Sequence, residues 1–184
     1  MKKWKIIKET DVSPSHWFPV MQHTVELENG KRVDDYFTAP LGDSVVVLPF
    51  TTTGEIVLIR QYRHGIREIV TELPGGFKQK DKTLVESAIA ELEEETGIRT
   101  TPEQLIPLGR KSNLPSKSNH MTYGYIARDV VFNSSQNLEE TESIEILTRP
   151  PKVVIEMVLN EEIWIGDSAV HILKAYLRYP ELFQ

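Results

Sequence analysis

Five glutamates fall within ten residues of the stretch "ESAIAELEEE", at Glu86, Glu91, Glu93, Glu94 and Glu95. On a helical wheel at about 100° per residue, Leu84, Val85, Ala88, Ile89 and Leu92 form an apolar stripe. Glu91 and Glu95 fall on one flank of that stripe, one turn apart, and Glu94 lies about 60° from Glu91. Like charges at i and i+4 repel by about 0.2–0.5 kcal/mol on an exposed helix, and by more where water screens them less. A cation between Glu91 and Glu95 is therefore expected. The chain has no cysteine, so only oxygen and imidazole donors are available, and converging carboxylates select a hard ion, Mg²⁺ or Mn²⁺. Glu93 points away and is expected in solvent. An acidic helix is also what an ordinary solvated surface looks like. The tight "ELPGG" turn just upstream tips the balance, because it can aim a backbone carbonyl at the same point as the two carboxylates.

The elements that would position these groups follow from periodicity. Thr83 with Glu86 three residues on forms a capping box, and Gly97 supplies a left-handed stop, which predicts a helix over about 84–96. Upstream, "DSVVVLPF" and "GEIVLIRQYRHG" read as strands, the first apolar enough to be covered on both faces, and "REIVTELPGG" reads as a third. Near the start, "HTVELENGKRVDDYFTAP" alternates around Asn29-Gly30 and predicts a hairpin with a two-residue turn. Downstream, "QLIPLGRKSNLPSKSNHMTYGYIARDVVF" gives two strands around a polar loop, and "SIEILTR" one more. Two helices follow, one after Pro150-Pro151 and one opening on Asp167 as N-cap. Strands and helices belong to one α plus β domain, residues 43–184, preceded by a β-hairpin extension over 1–42. The extension has little core of its own and is expected to pack on a second subunit or on the main domain.

Composition narrows the function classes. With 184 residues, 40% hydrophobic and 26% charged, the chain can bury a full core. A net charge of −6 argues against nonspecific binding to a nucleic-acid polymer, which needs clustered cations. No apolar run approaches the roughly 20 residues of a membrane span, and the start lacks a signal-peptide pattern, so a cytoplasmic chain is expected.

Residues 76–98, "GFKQKDKTLVESAIAELEEETGI", resemble the Nudix box, in which Gly76, Glu91, Leu92, Glu94, Glu95, Gly97 and Ile98 fill their places. The segments "RQYRHG", "TELPGG", "SNLPSKSN" and "LEETESIEI" are similar to the ADP-ribose pyrophosphatase branch of that family. The resemblance implies an α/β (α+β) fold, an α/β/α sandwich around a mixed sheet with a small N-terminal antiparallel extension. It implies hydrolysis of a nucleoside diphosphate sugar, with ADP-ribose giving AMP and ribose 5-phosphate, and a homodimer. It places Glu91, Glu95, the Gly75 carbonyl and Glu142 as ligands of Mg²⁺ or Mn²⁺. Catalytic groups implied are Glu94, Glu140 and Glu142; Glu140 is favoured as the base and Glu142 as a ligand, with the reverse left open. Arg63 is implied to hold phosphate, Glu72 to face substrate, and Trp17 to stack on the base from the partner subunit, although packing under the hairpin would suit Trp17 at least as well, and Trp4 better still. Glycine at 75 in place of the usual alanine reads as a mild change.

Two box positions depart from the pattern: its first Glu is Lys82 here, and its Arg is Ala90. In the family that Arg orients the glutamates, and loss of such support costs about 10- to 100-fold in metal affinity or activity. The alternatives are a catalytically impaired nucleotide-sugar binding or regulatory protein, a hydrolase of another sugar nucleotide such as GDP-mannose, and a scaffold whose acidic helix meets a basic partner.

Overall fold

The computed structural model describes residues 2–184. Its backbone forms two compact units, one of residues up to Asp43 together with Ser112–Met121, the other of Ser44–Lys111 and Thr122–Gln184.

The first unit holds three antiparallel strands in the order β1 (Lys5–Asp11), β2 (Met21–Glu26), β3 (Arg32–Thr38). The expected hairpin is β2–β3, but β1 makes it a sheet. That strand escapes a pattern search because its side chains are almost all exposed and do not alternate. The turn also differs from the expected two-residue form. Leu27 N–H donates to the Lys31 carbonyl (2.8 Å) and Gly30 N–H to the Leu27 carbonyl (2.9 Å), so the loop is longer. Only Gly30 takes a positive φ (80°), while the Asn29 side chain accepts from Lys31 N–H at 3.0 Å. Asparagine thus works through its side-chain oxygen, as in an Asx turn, instead of through a left-handed backbone. Trp4 meets Tyr36 edge-on at 5.5 Å and stays half exposed. Trp17 is 83% exposed, which excludes packing under the hairpin.

The second unit is a mixed α/β fold. Its seven-stranded sheet runs β10 (Ile144–Arg149), β5 (Ile56–Arg63), β4 (Asp43–Thr51), β9 (Met121–Val130), β8 (Leu105–Ser112). Two short strands complete it, β6 (Glu68–Glu72) on β5 and β7 (Gly75–Phe77) on β4. Strand β4 is buried from Ser44 to Phe50, and its alternate residues feed two separate cores. Val45 and Val47 pack with Ala88 and Leu92 of helix α1 (Leu84–Thr96). Val46, Leu48 and Phe50 pack with Val154 and Met157 of α2 (Pro151–Leu159) and with Ile172 and Ala175 of α3 (Gly166–Arg178). Helices on both faces explain why β4 reads as a continuous apolar run.

Helix α1 has the predicted bounds. Thr83 Oγ1 accepts from Glu86 N–H (3.2 Å), the Glu86 carboxylate accepts from Thr83 N–H (2.7 Å), and Gly97 sits at φ 71°. Helix α3 begins earlier than expected, with Ile165 at the cap position. Asp167 lies inside the first turn, where its carboxylate accepts from Lys111 Nζ at 2.5 Å instead of capping. Buried His171 of α3 fits against Gly124, where a Cβ would lie 2.1 Å from its ring. Among the described residues no helix is long and apolar enough to cross a membrane.

Candidate active site

The site grows from the join between β6, β7 and α1. After β6 the chain passes through Leu73 and Pro74, and each end of this short segment is tied down. Leu73 N–H donates to Ser168 Oγ of α3 (2.8 Å), and the Pro74 carbonyl accepts from Val47 N–H of β4 (2.9 Å). Gly75 N–H then donates to Glu95 Oε2 at 2.6 Å. Gly75 itself has φ 156°, and a Cβ there would lie 2.1 Å from the Val45 carbonyl oxygen. Glycine at 75 is therefore not a mild replacement for alanine in this backbone. The opposed strand leaves no space for a methyl group.

Glu95 lies deeper than a flank position on the wheel suggests. It is only 3% exposed, and burial pushes its carboxyl up to about 8; the Gly75 N–H opposes this, Glu91 and Glu142 add to it, and Arg63 offsets part. Glu91, half-buried one turn earlier, is pushed up to about 7, first by burial and then by the charges of Glu94, Glu142 and Glu139. Gly76 is what lets Glu91 reach this place, since a Cβ at 76 would lie 2.4 Å from its Oε2. Two carboxylates a turn apart, short of water and surrounded by like charge, form a donor set suited to a hard cation. Among the described residues, no three His, Asp or Glu side chains are already drawn together as a metal cage. An ion here would complete its shell with water, backbone and phosphate oxygens, the usual habit of Mg²⁺.

Glu94 and Glu91 are linked by a residue that the helical wheel does not reveal. Gln79 Nε2 donates to Glu91 Oε1 and to Glu94 Oε2, at 3.1 Å each. Glu93 is not simply solvated, because it accepts from Arg99 Nε (2.6 Å) and Ser134 Oγ (3.0 Å), and these hydrogen bonds lower its pKa.

The acidic loop reaches the site because it is stitched to the end of α1. The carbonyls left open by the last turn accept from it: Gly97 from Asn133 N–H (3.2 Å) and Ser134 N–H (2.9 Å), Glu95 from Gln136 Nε2 (2.7 Å), Glu94 from Asn137 N–H (2.9 Å). Two residues later Glu139 N–H donates to the Glu142 carboxylate and Glu142 N–H to the Glu139 carbonyl, both at 3.0 Å. Glu142 and Glu139 are the loop charges that bear most on Glu91, and Glu142 also bears on Glu95. Glu140 is not among the principal charges on either. Glu139 was not singled out by sequence, although it stands in the same "EETE" run.

Arg63 and Glu72 form a pair. Arg63 Nε donates to Glu72 Oε1 at 2.7 Å, and Gln61 Nε2 donates to the same oxygen at 3.0 Å. The Glu72 side chain is 6% exposed and that of Arg63 44%. The buried carboxylate thus anchors the base of the guanidinium and leaves much of the fork open to solvent. Trp17 belongs to the other unit, its ring tilted against His16 at 4.5 Å.

Comparison with known proteins accords with this geometry. Residues 40–174 match the NUDIX domain, and residues 4–38 match the nucleoside diphosphate sugar hydrolase N-terminal domain. The chain is 27% identical over 161 residues to an ADP-ribose pyrophosphatase of Bacillus subtilis (strain 168), covering 87% of this chain and 84% of that protein. It is 25% identical over 178 residues to a methanol dehydrogenase activator of Bacillus methanolicus, covering 96% and 94%. A crystal structure of an ADP compounds hydrolase superposes with a TM-score of 0.86 at 21% identity, covering 98% and 96%. With the domain matched across most of its length and the fold shared, the chain belongs to the Nudix family and is a pyrophosphohydrolase.

Proposed function

We propose that this hydrolase cleaves the pyrophosphate bond of a nucleoside diphosphate sugar, ADP-ribose foremost, to AMP and ribose 5-phosphate. The observation that carries the reading is the carboxylate pair of half-buried Glu91 and buried Glu95, raised to about 7 and about 8 first by burial and then by neighbouring glutamates. A cation between them would favour both ionised forms and bring the two pKa values back down. The similarity to an ADP-ribose pyrophosphatase supports the choice of substrate.

Glu91, Glu95, the Gly75 carbonyl and Glu142 would hold Mg²⁺ or Mn²⁺. When bound, such an ion neutralises phosphate oxygens and acidifies water. The protein's own groups do the rest. Water attacks one phosphorus, the bridging P–O bond breaks, and the water's proton passes to a loop carboxylate while the departing phosphate takes the electron pair. Glu142, which bears on both Glu91 and Glu95, and Glu140 are the candidate bases, with Glu94 supporting Glu91. Arg63, held at its base by Glu72, offers its free guanidinium nitrogens to a phosphate. Trp17, exposed and next to His16, has an open face to offer to a purine bound by a second subunit. Trp4, Ile6, Ile7, Val12, Phe18 and Phe37 of the same unit are also exposed, an apolar surface that supports a homodimer. The setting we infer is cytoplasmic.

Incubation with ADP-ribose, GDP-mannose and UDP-glucose plus Mg²⁺ or Mn²⁺, with release of the monophosphate followed by chromatography, tests this. ADP-ribose should turn over fastest, and Glu95→Gln should lower kcat by about 100-fold or more. Equal rates for wild type and Glu95→Gln, or tight binding of the sugar nucleotide with no cleavage, would replace the hydrolase reading with that of a regulatory binding module.

A further inference from the structure

Gln79 occupies an unusual position. Its side-chain amide bridges Glu91 and Glu94 through one nitrogen, at 3.1 Å to each. Its carbonyl oxygen accepts from Lys82 Nζ. Its backbone N–H donates to Ser87 Oγ at 3.1 Å, and Ser87 is fully buried on α1. Every part of the residue is therefore tied down.

The amide has two possible orientations, related by exchange of nitrogen and oxygen, and its neighbours decide between them. Turned over, the oxygen would face two carboxylates and the nitrogen an ammonium, so that every contact would be repulsive. Lys82 pulls the oxygen to its side and leaves the nitrogen for the glutamates. An ammonium on the carbonyl oxygen also polarises the amide, which makes its N–H groups stronger donors. The positive charge of Lys82 is thus delivered to Glu91 and Glu94 through a neutral group.

We propose that Lys82 and Gln79 form a positioning relay that orients Glu91 and Glu94 for the divalent ion, doing in this chain the work left undone by Ala90. The two departures from the box are then one arrangement: the cation absent at position 90 is supplied from position 82, through residue 79. Glu95 lies outside the relay and is held separately by Gly75 N–H. This inference rests on the metal-dependent reading above.

The test is Mn²⁺ binding to the substrate-free protein, followed by electron paramagnetic resonance, with Gln79→Leu, Lys82→Met and the double variant. Circular dichroism melts without metal check that each variant folds. Gln79→Leu is expected to raise the Mn²⁺ Kd about 10- to 100-fold and Lys82→Met by several-fold. The double variant should be no weaker than Gln79→Leu alone, because Lys82 acts only through Gln79. Additive losses would mean that Lys82 works directly by its charge, and would overturn the relay, as would Kd values unchanged from wild type. A wild type that binds no Mn²⁺ at all would remove the metal-dependent hydrolase reading and the relay together. Loss of binding in Glu95→Gln with wild-type binding in Gln79→Leu would remove the relay alone.

Discussion

The backbone N–H of Gly75 donates to the buried carboxylate of Glu95 at 2.6 Å, across 20 positions of sequence. This one bond locks the end of α1 to the turn that follows β6, and the next residue repeats the relationship by contact. Gly76 leaves the space that the Glu91 carboxylate fills. Strand and helix are thus registered against each other at two consecutive glycines.

Gly76→Ala tests that registration. The new Cβ would lie 2.4 Å from Glu91 Oε2, and the side chain can swing away more cheaply than the backbone can move. The fold should survive, with a thermal midpoint within a few degrees of wild type, while hydrolysis falls about 10- to 100-fold. Thermal melts alongside steady-state kinetics check this. A midpoint that collapses with activity would place the cost in the backbone instead.

Stability without metal should depend on pH in a direction opposite to the usual carboxylate case. Glu91 and Glu95 titrate near 7 and 8 when folded, against 4.5 as an ordinary value. Between about 4.5 and 8 the native state therefore holds protons that the unfolded chain has lost, and stability falls as pH rises through that window. The slope is at most about 1.4 kcal/mol per pH unit for each group, and less for the half-buried Glu91. His171 has the opposite sign: burial lowers its pKa, so below about 6.5 it favours unfolding as pH falls. This opposing contribution fades as pH rises above 6.5 and leaves the glutamates to set the slope towards pH 8. Urea midpoints at pH 6.5, 7, 7.5 and 8 should decline in chelator and recover with Mn²⁺, and Glu95→Gln should flatten the decline.

Ser168→Ala removes the acceptor of a buried N–H, that of Leu73. The expected cost is about 1–3 kcal/mol in urea unfolding. Because the loosened segment carries Glu72 and Gly75, kcat should fall as well. Ser168→Cys, with a weaker acceptor, should lie between alanine and wild type in both measurements.

Among the loop carboxylates, Glu142→Gln should lower kcat by about 10²–10⁴-fold, and Glu140→Gln by much less, since Glu142 bears on both Glu91 and Glu95. Metal titration then sorts the role of Glu142. A base leaves the Mn²⁺ Kd unchanged, whereas a ligand raises it.

Much of this protein could be read from local pattern. The bounds of α1 follow from Thr83, Glu86 and Gly97, all within one or two turns of the ends they cap. The closeness of Glu91 and Glu95 is a property of any helix with that spacing. The double burial of β4 is written in its unbroken apolar run. Strand β1 leaves no local signal because its side chains do not alternate, and Asp167 does not cap α3 because Lys111, 56 positions away, takes its carboxylate.

The chain's own order of residues therefore determined that it would make a capped acidic helix, an apolar sheet and a pair of carboxylates wanting a cation, since each depends on neighbours no more than a few residues apart. Only the tertiary structure decided how deeply Glu95 is buried, that Gln79 bridges Glu91 and Glu94, that Ser168 holds Leu73, and which charges of the loop bear on Glu91 and Glu95. Those outcomes depend on backbone groups and side chains that meet only after the sheet has closed over α1, and no periodicity in the sequence encodes which polar partners such packing will bring within hydrogen-bond reach.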